Sequence, residues 1–425
     1  LSVRLASLVD DGHVGSQNGE FIMTNNIDQT DEPVESAGEI SEADVDEWFE
    51  SEDESPEPLP QDVDVVQRYS EAQLRIVRSN MDLSLHNLRQ SLKDSSYINL
   101  SPPYQRRHRW DNKKRSQLIE SLLLNIPIPP IFLFENEYNQ YEIMDGRQRL
   151  EAIKNYLDNS YALRGMEYWP ELNRSRFNEL PPTIQRGLLR RTIAAIVLLA
   201  ETSRPEDSEI DVRMALFKRL NTGGVRLNPH ELRNALYPSE FNEMLQRLAR
   251  WETFCDTWRI PKYTEDEDEV VPKRLQANAL YKTMADCELV LRFYAIKETI
   301  LENRSGSLRK LLDKSMKQHA KDTGTTLEMM EREFREVLTF LFNVFEGDPF
   351  VLPQTNRPSR PAYDAMMVAT ALIGIEAING RERNIRGNFM QAATNPEDYD
   401  VLVGRGNTVE AIKDRVSLAK RLLTE

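Results

Sequence analysis

The sequence predicts an α+β protein: a mixed α/β region over residues 66–240, then a mostly helical region over 241–425. Short strand-like apolar runs alternate with helix-period segments up to about residue 240, after which strand signals are few. Charge is partitioned as well. Residues 5–67 hold 19 Asp or Glu and no Lys or Arg, whereas residues 68–425 hold 53 basic against 50 acidic side chains. The net charge of −15 therefore belongs to the first segment. No repeat of roughly 20–50 residues recurs, so a solenoid is not expected.

Residues 1–65 read as a disordered acidic tail, poor in apolar side chains and leaving through the Pro-rich "SPEPLPQD" (55–62). One patch differs. "DVDEWFESEDE" (44–54) sets Trp48 and Phe49 among carboxylates, which suits docking on a basic, apolar groove in cis or on a partner. A solubilising tail is the plainer reading of the same residues.

"LSLHNLRQSLK" (83–93) is expected to be helical and "YINL" (97–100) a short strand. Asp111 is placed to cap a helix over 112–125, whose Leu118, Ile119, Leu122 and Leu123 form one stripe. "IPIPP" (126–130) stops that helix and forces extended backbone. Strands follow at 131–135 and 140–144, a helix at 147–157 and a strand at 190–199. A helix over 209–221 leads through Thr222-Gly223-Gly224 to a helix over 228–237, with Asn228 as cap and Pro229 at its first position. Beyond 240, the stretches 239–250, 275–300, 326–346 and 362–378 read as amphipathic helices.

The composition, 40% apolar and 29% charged, is that of an ordinary globular protein. Cys255 and Cys287 lack metal or redox spacing and suit free thiols in a reducing cytoplasm. The longest apolar runs, 193–200 and 366–375, fall short of the roughly 18 residues that a bilayer requires. The first residues lack the basic-then-apolar layout of a secretory leader. A cytoplasmic protein without membrane partners is expected. Arginine outnumbers lysine 39 to 15, a bias that base composition or phosphate recognition would each produce.

Three stretches carry candidate chemistry. "YQRRHRWDNKKR" (104–115) interleaves Tyr104 and Trp110 with six basic side chains, suiting phosphate contact and base stacking. It also suits a solvated loop with Trp110 anchoring the helix. "YEIMDGRQRL" (141–150) puts Asp145 where a strand ends and a helix begins, so its carboxylate either caps the helix or holds a metal or water. Arg149 shares a helical face with Asp145, and Arg147 shares one with Glu151. "FKRLNTGGVRLNPHEL" (217–232) sets Asn221-Thr222-Gly223-Gly224 before a capped helix, as a phosphate-accepting nest or as an ordinary helix stop. The sequence contains no G-x-x-x-x-G-K-[ST], G-x-S-x-G, H-E-x-x-H or Glu-x-Lys, and its histidines (13, 86, 108, 230, 319) are scattered.

Taken together, Gln105-Arg106 with Arg109-Trp110, "LIESLLLNIPIPPIFLFE", "YEIMDGRQRLEAI" and "FKRLNTGGVRLNPHELRNA" resemble the N-terminal domain of GmrSD-type modification-dependent restriction enzymes, over roughly residues 80–240. The resemblance implies a ParB/sulfiredoxin-like fold that binds and hydrolyses nucleoside triphosphate with Mg²⁺, whether GTP, ATP, CTP or UTP. It implies a phage-defence role in which turnover controls DNA binding or cleavage. The family's Asp-Gly-Gln-Gln-Arg motif falls on Asp145, Gly146, Gln148 and Arg149, with Arg147 standing where the first glutamine is usual. Asp145, Gln148 and Arg149 are then the expected catalytic residues, and Asp145 the metal ligand. Gln105, Arg106, Arg109, Gly146, Arg147, Asn221, Thr222, Gly223 and Gly224 are the expected phosphate-binding residues. The C-terminal half lacks the His-Asn-His nuclease module that often follows this domain. A separate nuclease subunit is therefore an expected partner. The alternatives are a non-catalytic DNA- or nucleotide-binding subunit that recruits such a nuclease, and a domain that cuts DNA itself.

Overall fold

The structure, a computed structural model, describes residues 40–51, 77–94, 97–100, 110–199, 216, 228–264, 267, 271–404 and 406–425. These fall within one compact unit, Gly38–Glu425. After a short helix, α1 (Glu42–Glu50), the α/β region runs β1 (Arg78–Ser84), α2 (Leu85–Ser91), β2 (Ile98–Asn99), α3 (Asn112–Leu123), β3 (Ile131–Glu137), β4 (Gln140–Asp145), α4 (Arg147–Leu157), α5 (Pro182–Leu189) and β5 (Thr192–Leu198). The strands form one mixed sheet in the order β1-β5-β3-β4-β2. Pairs β1/β5 and β3/β4 are antiparallel, while β3/β5 and β2/β4 are parallel.

Strand alternation sorts the core onto two faces. Ile131 and Leu133, Tyr141 and Ile143, and Ile193, Ala195 and Val197 pack with Leu118, Ile119 and Leu122 of α3 and Leu150 and Ile153 of α4. Phe132, Phe134, Met144 and Leu198 point the other way and pack with Leu232 and Leu236 of α6 (Pro229–Leu236). The sheet is thus covered by helices on both faces. Trp110 packs against the first of these cores, with the Lys114 ammonium 5.0 Å from its ring centroid, as the anchoring reading expects. The Asp111 side chain accepts from the Lys114 amide and caps α3. That helix stops at Asn125, whose φ of +62° leads into the proline-rich stretch. The expected helix over 209–221 lies outside the described residues except for Leu216, which is helical.

A mostly helical region follows: α7 (Glu240–Ala249), α8 (Glu252–Trp258), α9 (Lys273–Ala277), α10 (Ala279–Lys282), α11 (Ala285–Leu301), α12 (Leu308–His319) and α13 (Thr325–Val344). A hairpin of β6 (Val351–Leu352) and β7 (Arg357–Pro358) precedes α14 (Arg360–Ile373), α15 (Ile375–Ile378), α16 (Glu382–Thr394), α17 (Pro396–Tyr399) and α18 (Val409–Thr424). Two stretches depart from expectation. The helix read over 275–300 breaks at Asn278 and again at Met284, where φ is +59°. The one over 362–378 breaks at Gly374, with φ of +86°. α11 and α14 are also not amphipathic, since residues 285–296 and 362–370 are buried on every side. They are the centre of the region, and they carry charge into it. Arg292 of α11 forms a two-pronged ion pair with Asp364 of α14, one prong running from Nε to Oδ1 at 3.0 Å. Arg415 of α18 lies beside the same carboxylate. Burial pulls its guanidinium down to about 10, with Asp364 opposing that shift and Arg292 adding to it.

The expectation of disorder over residues 1–65 fails at residues 42–50, which form α1. The reason is local and tertiary together. Ser41 and Asp44 make a capping box, and Val45 and Phe49, four apart, are buried in the helical core. Both cysteines are free and buried, and burial pushes the Cys255 thiol up to about 12. Among the described residues no helix is long and apolar enough to cross a membrane.

His319, at the end of α12, lies between two carboxylates. Its Nδ1 is 2.6 Å from Asp322 Oδ2, and its Nε2 bonds Glu298 Oε1. Burial works against the imidazolium, but the hydrogen bonds to Glu298 and Asp322 outweigh it and raise the pKa above 6.5. A raised folded pKa stabilises the protein fully below the unfolded value, and the contribution is lost as pH rises through the folded one. Thermal stability is therefore expected to fall as pH is raised above 6.5, and His319→Gln to remove that part of the slope. Melting temperatures of the two proteins across pH 5.5 to about 9 check it. Parallel slopes would refute the assignment.

Candidate phosphate-binding site

The described part of the site is the junction of β4 and α4. Asp145 is the last residue of β4, and its neighbour across the sheet is Phe132, near the start of β3. Gly146 then turns the chain and serves as the N-cap of α4, with φ of +93° and ψ of 8°. Gly146 brings no side-chain cap of its own to this helix. The capping role read for Asp145 is thus not the one it plays. Its Oδ2 accepts instead from Arg149 Nη2, at 2.7 Å. A guanidinium one turn into the helix outcompetes neutral amides for that oxygen, because the bond is charge-assisted. Asp145 Oδ1 has no hydrogen-bond partner among the described residues.

Arg149 has a second partner that sequence reasoning missed. Its Nη1 donates to the carbonyl of Pro129, so the arginine ties the extended proline run to the strand end. A backbone carbonyl leaves no residue-type signature; the only available signal was the forced extension of "IPIPP". Arg147 lies on another face and pairs with Glu151, Nε to Oε1 at 2.7 Å, as the four-residue spacing requires. Its Nη2 is buried and meets no acceptor among the described residues. Gln148 falls between the two arginines and is half-buried.

These contacts give the junction a defined electrostatic character. A helix start with glycine as its N-cap turns its backbone amides and the positive end of the helix dipole toward this end of the sheet. Arg147 and Arg149 add two guanidinium groups within one turn, and one carboxylate oxygen stays open beside them. Such an arrangement can take an anion at the amides and a cation at Asp145 Oδ1. No group of three or more His, Cys, Asp or Glu among the described residues could hold a metal ion without help from a ligand.

Gly146 is held by two constraints. A Cβ there would stand 2.5 Å from Ile131 Cγ2, and the positive φ disfavours any L side chain. Gly146→Ala is expected to lose about 1–3 kcal/mol of stability and to shift the start of α4. Urea denaturation reads this, and an unchanged midpoint would contradict it.

Of the residues expected at the site, the structure brings together Asp145, Gly146, Arg147, Gln148 and Arg149. Gln105, Arg106, Arg109, Asn221, Thr222, Gly223 and Gly224 lie outside the described residues. The chain does leave β2 parallel to β4, so at Leu100 it is heading toward the end of the sheet that carries Asp145. α6 begins at an Asn228 capping box, and its Leu232 and Leu236 pack on Met144, the residue before Asp145.

No curated protein and no solved structure matches this chain. A family comparison does: residues 85–238 match the family described as GmrSD restriction endonuclease, N-terminal domain. That span contains the strands β2 to β5, the whole β4–α4 junction and α6, and it ends before the helical region. Residues 85–238 are therefore a GmrSD-type restriction N-terminal domain.

Proposed function

We propose that the chain is a defence protein whose domain over 85–238, of ParB/sulfiredoxin-like type, binds and hydrolyses a nucleoside triphosphate to control action on DNA. One observation carries the reading. Within the span that matches a restriction-enzyme domain, the Asp145-Gly146-Arg147-Gln148-Arg149 motif singled out in the sequence stands at a glycine-capped helix start, with Asp145 and Arg149 in contact. The residues fit the nucleotide. The α4 amides and the unfilled Nη2 of Arg147 suit phosphate oxygens, and Asp145 Oδ1 suits the Mg²⁺ that accompanies them. Bound nucleotide would supply the phosphoanhydride and the metal charge. Arg149 would hold Asp145 in place, and Arg147 would neutralise phosphate.

The test is phosphate release by the purified full-length chain with Mg²⁺ and each of ATP, GTP, CTP and UTP, with and without DNA. Turnover is expected with at least one of the four, falling by about 100-fold or more in Asp145→Ala and Arg149→Ala. Equal turnover in all three proteins would sink the assignment. A second reading has its own support: Arg147 replaces the usual glutamine, and each arginine already has a partner within the fold. On that reading the domain binds nucleotide without turning it over and recruits a separate nuclease. Tight binding with no phosphate release would favour it.

A further inference from the structure

Helix α1 is held by a surface that treats it as a ligand. Val45 and Phe49 enter the helical core, and Trp48 meets Trp258 edge-on with ring centroids 6.2 Å apart. Cations surround the helix. Lys282 pairs with Glu42 at 2.7 Å and Arg357 with Asp44 at 3.3 Å, both near its negatively charged first turn. Arg360 lies at the opposite end, where a helix needs donors. Its Nη1 donates to the Trp48 carbonyl at 2.9 Å and its Nη2 to Ser51 Oγ at 3.0 Å, while its guanidinium carbon stands 5.0 Å from the centroid of the Trp48 ring. Asn407 Nδ2 donates to the same Ser51 Oγ at 2.7 Å. The surface therefore holds the helix by its apolar stripe, its acidic start, and the Trp48 carbonyl and Ser51 hydroxyl at its C-terminal end.

The helix has little to hold it by itself. It spans nine residues, fewer than the roughly 12–15 at which isolated helices become marginal in water. It carries Glu42, Asp44, Asp46, Glu47 and Glu50 with no cation of its own. The next described residue, Val77, is 26 positions beyond Ser51, and the described contacts of α1 all run to the helical region. Folding of this segment is thus coupled to docking, and its ion pairs are solvent-facing ones that salt weakens.

We propose that the face formed by Trp258, Lys282, Arg357, Arg360 and Asn407 is a docking site whose occupant is the chain's own α1, which seats there and leaves reversibly as an acidic amphipathic helix.

A labelled synthetic peptide of residues 40–51 is the probe, titrated against the full-length chain and followed by fluorescence anisotropy. In the intact chain the tethered helix competes, so the peptide should bind at least about tenfold more weakly than to full-length Phe49→Asp, in which α1 cannot seat. Raised salt, Arg360→Ala added to Phe49→Asp, or Trp48→Ala in the peptide should each weaken binding by about tenfold. A peptide that binds neither protein, with Phe49→Asp still melting cooperatively, overturns the proposal. So does a concentration-dependent dimer without peptide binding, which would mean exchange between copies. Should Phe49→Asp fail to fold, hydrogen exchange in the wild-type chain decides. Amides of residues 45–51 exchanging far faster than those of α11 support a reversible helix, and equal protection overturns it.

Discussion

Asp364→Ala is expected to destabilise the protein by about 3–5 kcal/mol, the largest effect of any single substitution considered for the helical region. The carboxylate is 1% exposed and faces Arg292, which is fully buried, with Arg415 close by at 1% exposure. Removing it leaves two guanidinium groups in the core without the charge that offsets their desolvation. Asp364→Asn keeps the shape and a hydrogen-bond acceptor but not the charge, so it should fall between wild type and alanine. Restoring neutrality should matter more than restoring the bond: Arg292→Met with Asp364→Leu is expected to recover much of the loss. Urea midpoints of the four proteins measure this. An Asp364→Ala protein within about 0.5 kcal/mol of wild type would show that the pair contributes nothing.

How far the fold could be read from sequence depended on which partner each residue uses. Contacts within one or two turns were legible. Asp111 and Asn228 cap their helices, and the Asp145–Arg149 and Arg147–Glu151 pairs follow from spacing alone. Helix α4 occupies 147–157, the range its periodicity marks. Contacts made at a distance were not legible. Asp145 looks like a cap until its competitor Arg149 is seen braced by the Pro129 carbonyl. Trp48 and Phe49 look exposed in an acidic segment until Trp258 and Arg360 are placed against them. The breaks at Met284 and Gly374 were hidden for another reason. In helices buried on every side, apolar residues occupy all faces, so no periodic pattern marks where one helix ends. At the candidate site, the motif around Asp145 could be read locally, whereas its relation to residues 101–109 and 217–227 depends on segments outside those described.

Arg233 offers the second large effect, and it concerns how the domain over 85–238 is joined to the helices beyond it. It lies on α6, inside the matched span, yet it points away from the sheet. Its Nη1 donates to Glu288 Oε2 at 2.8 Å and its Nε to Asp313 Oδ1 at 2.7 Å, both in the helical region outside the match. Asn228 and Asn234 reinforce the same seam, bonding the Thr283 carbonyl and Asn242. Arg233→Met is expected to cost about 3–5 kcal/mol, because Glu288 is 3% exposed and would lose its cation. Arg233→Lys should recover only part of that, since one ammonium lacks the planar fork that serves two carboxylates at once. Glu288→Gln should cost more than Asp313→Asn, whose side chain keeps 19% exposure and with it more solvent screening. Because Leu232 and Leu236 of the same helix pack on Met144, loosening α6 should also disturb the strand end that carries Asp145. If the junction binds nucleotide as proposed, Arg233→Met should lower that binding as well as stability, although it touches no site residue. A variant that unfolds early but binds nucleotide at wild-type strength below its transition would show that the seam stabilises the fold without reaching the site.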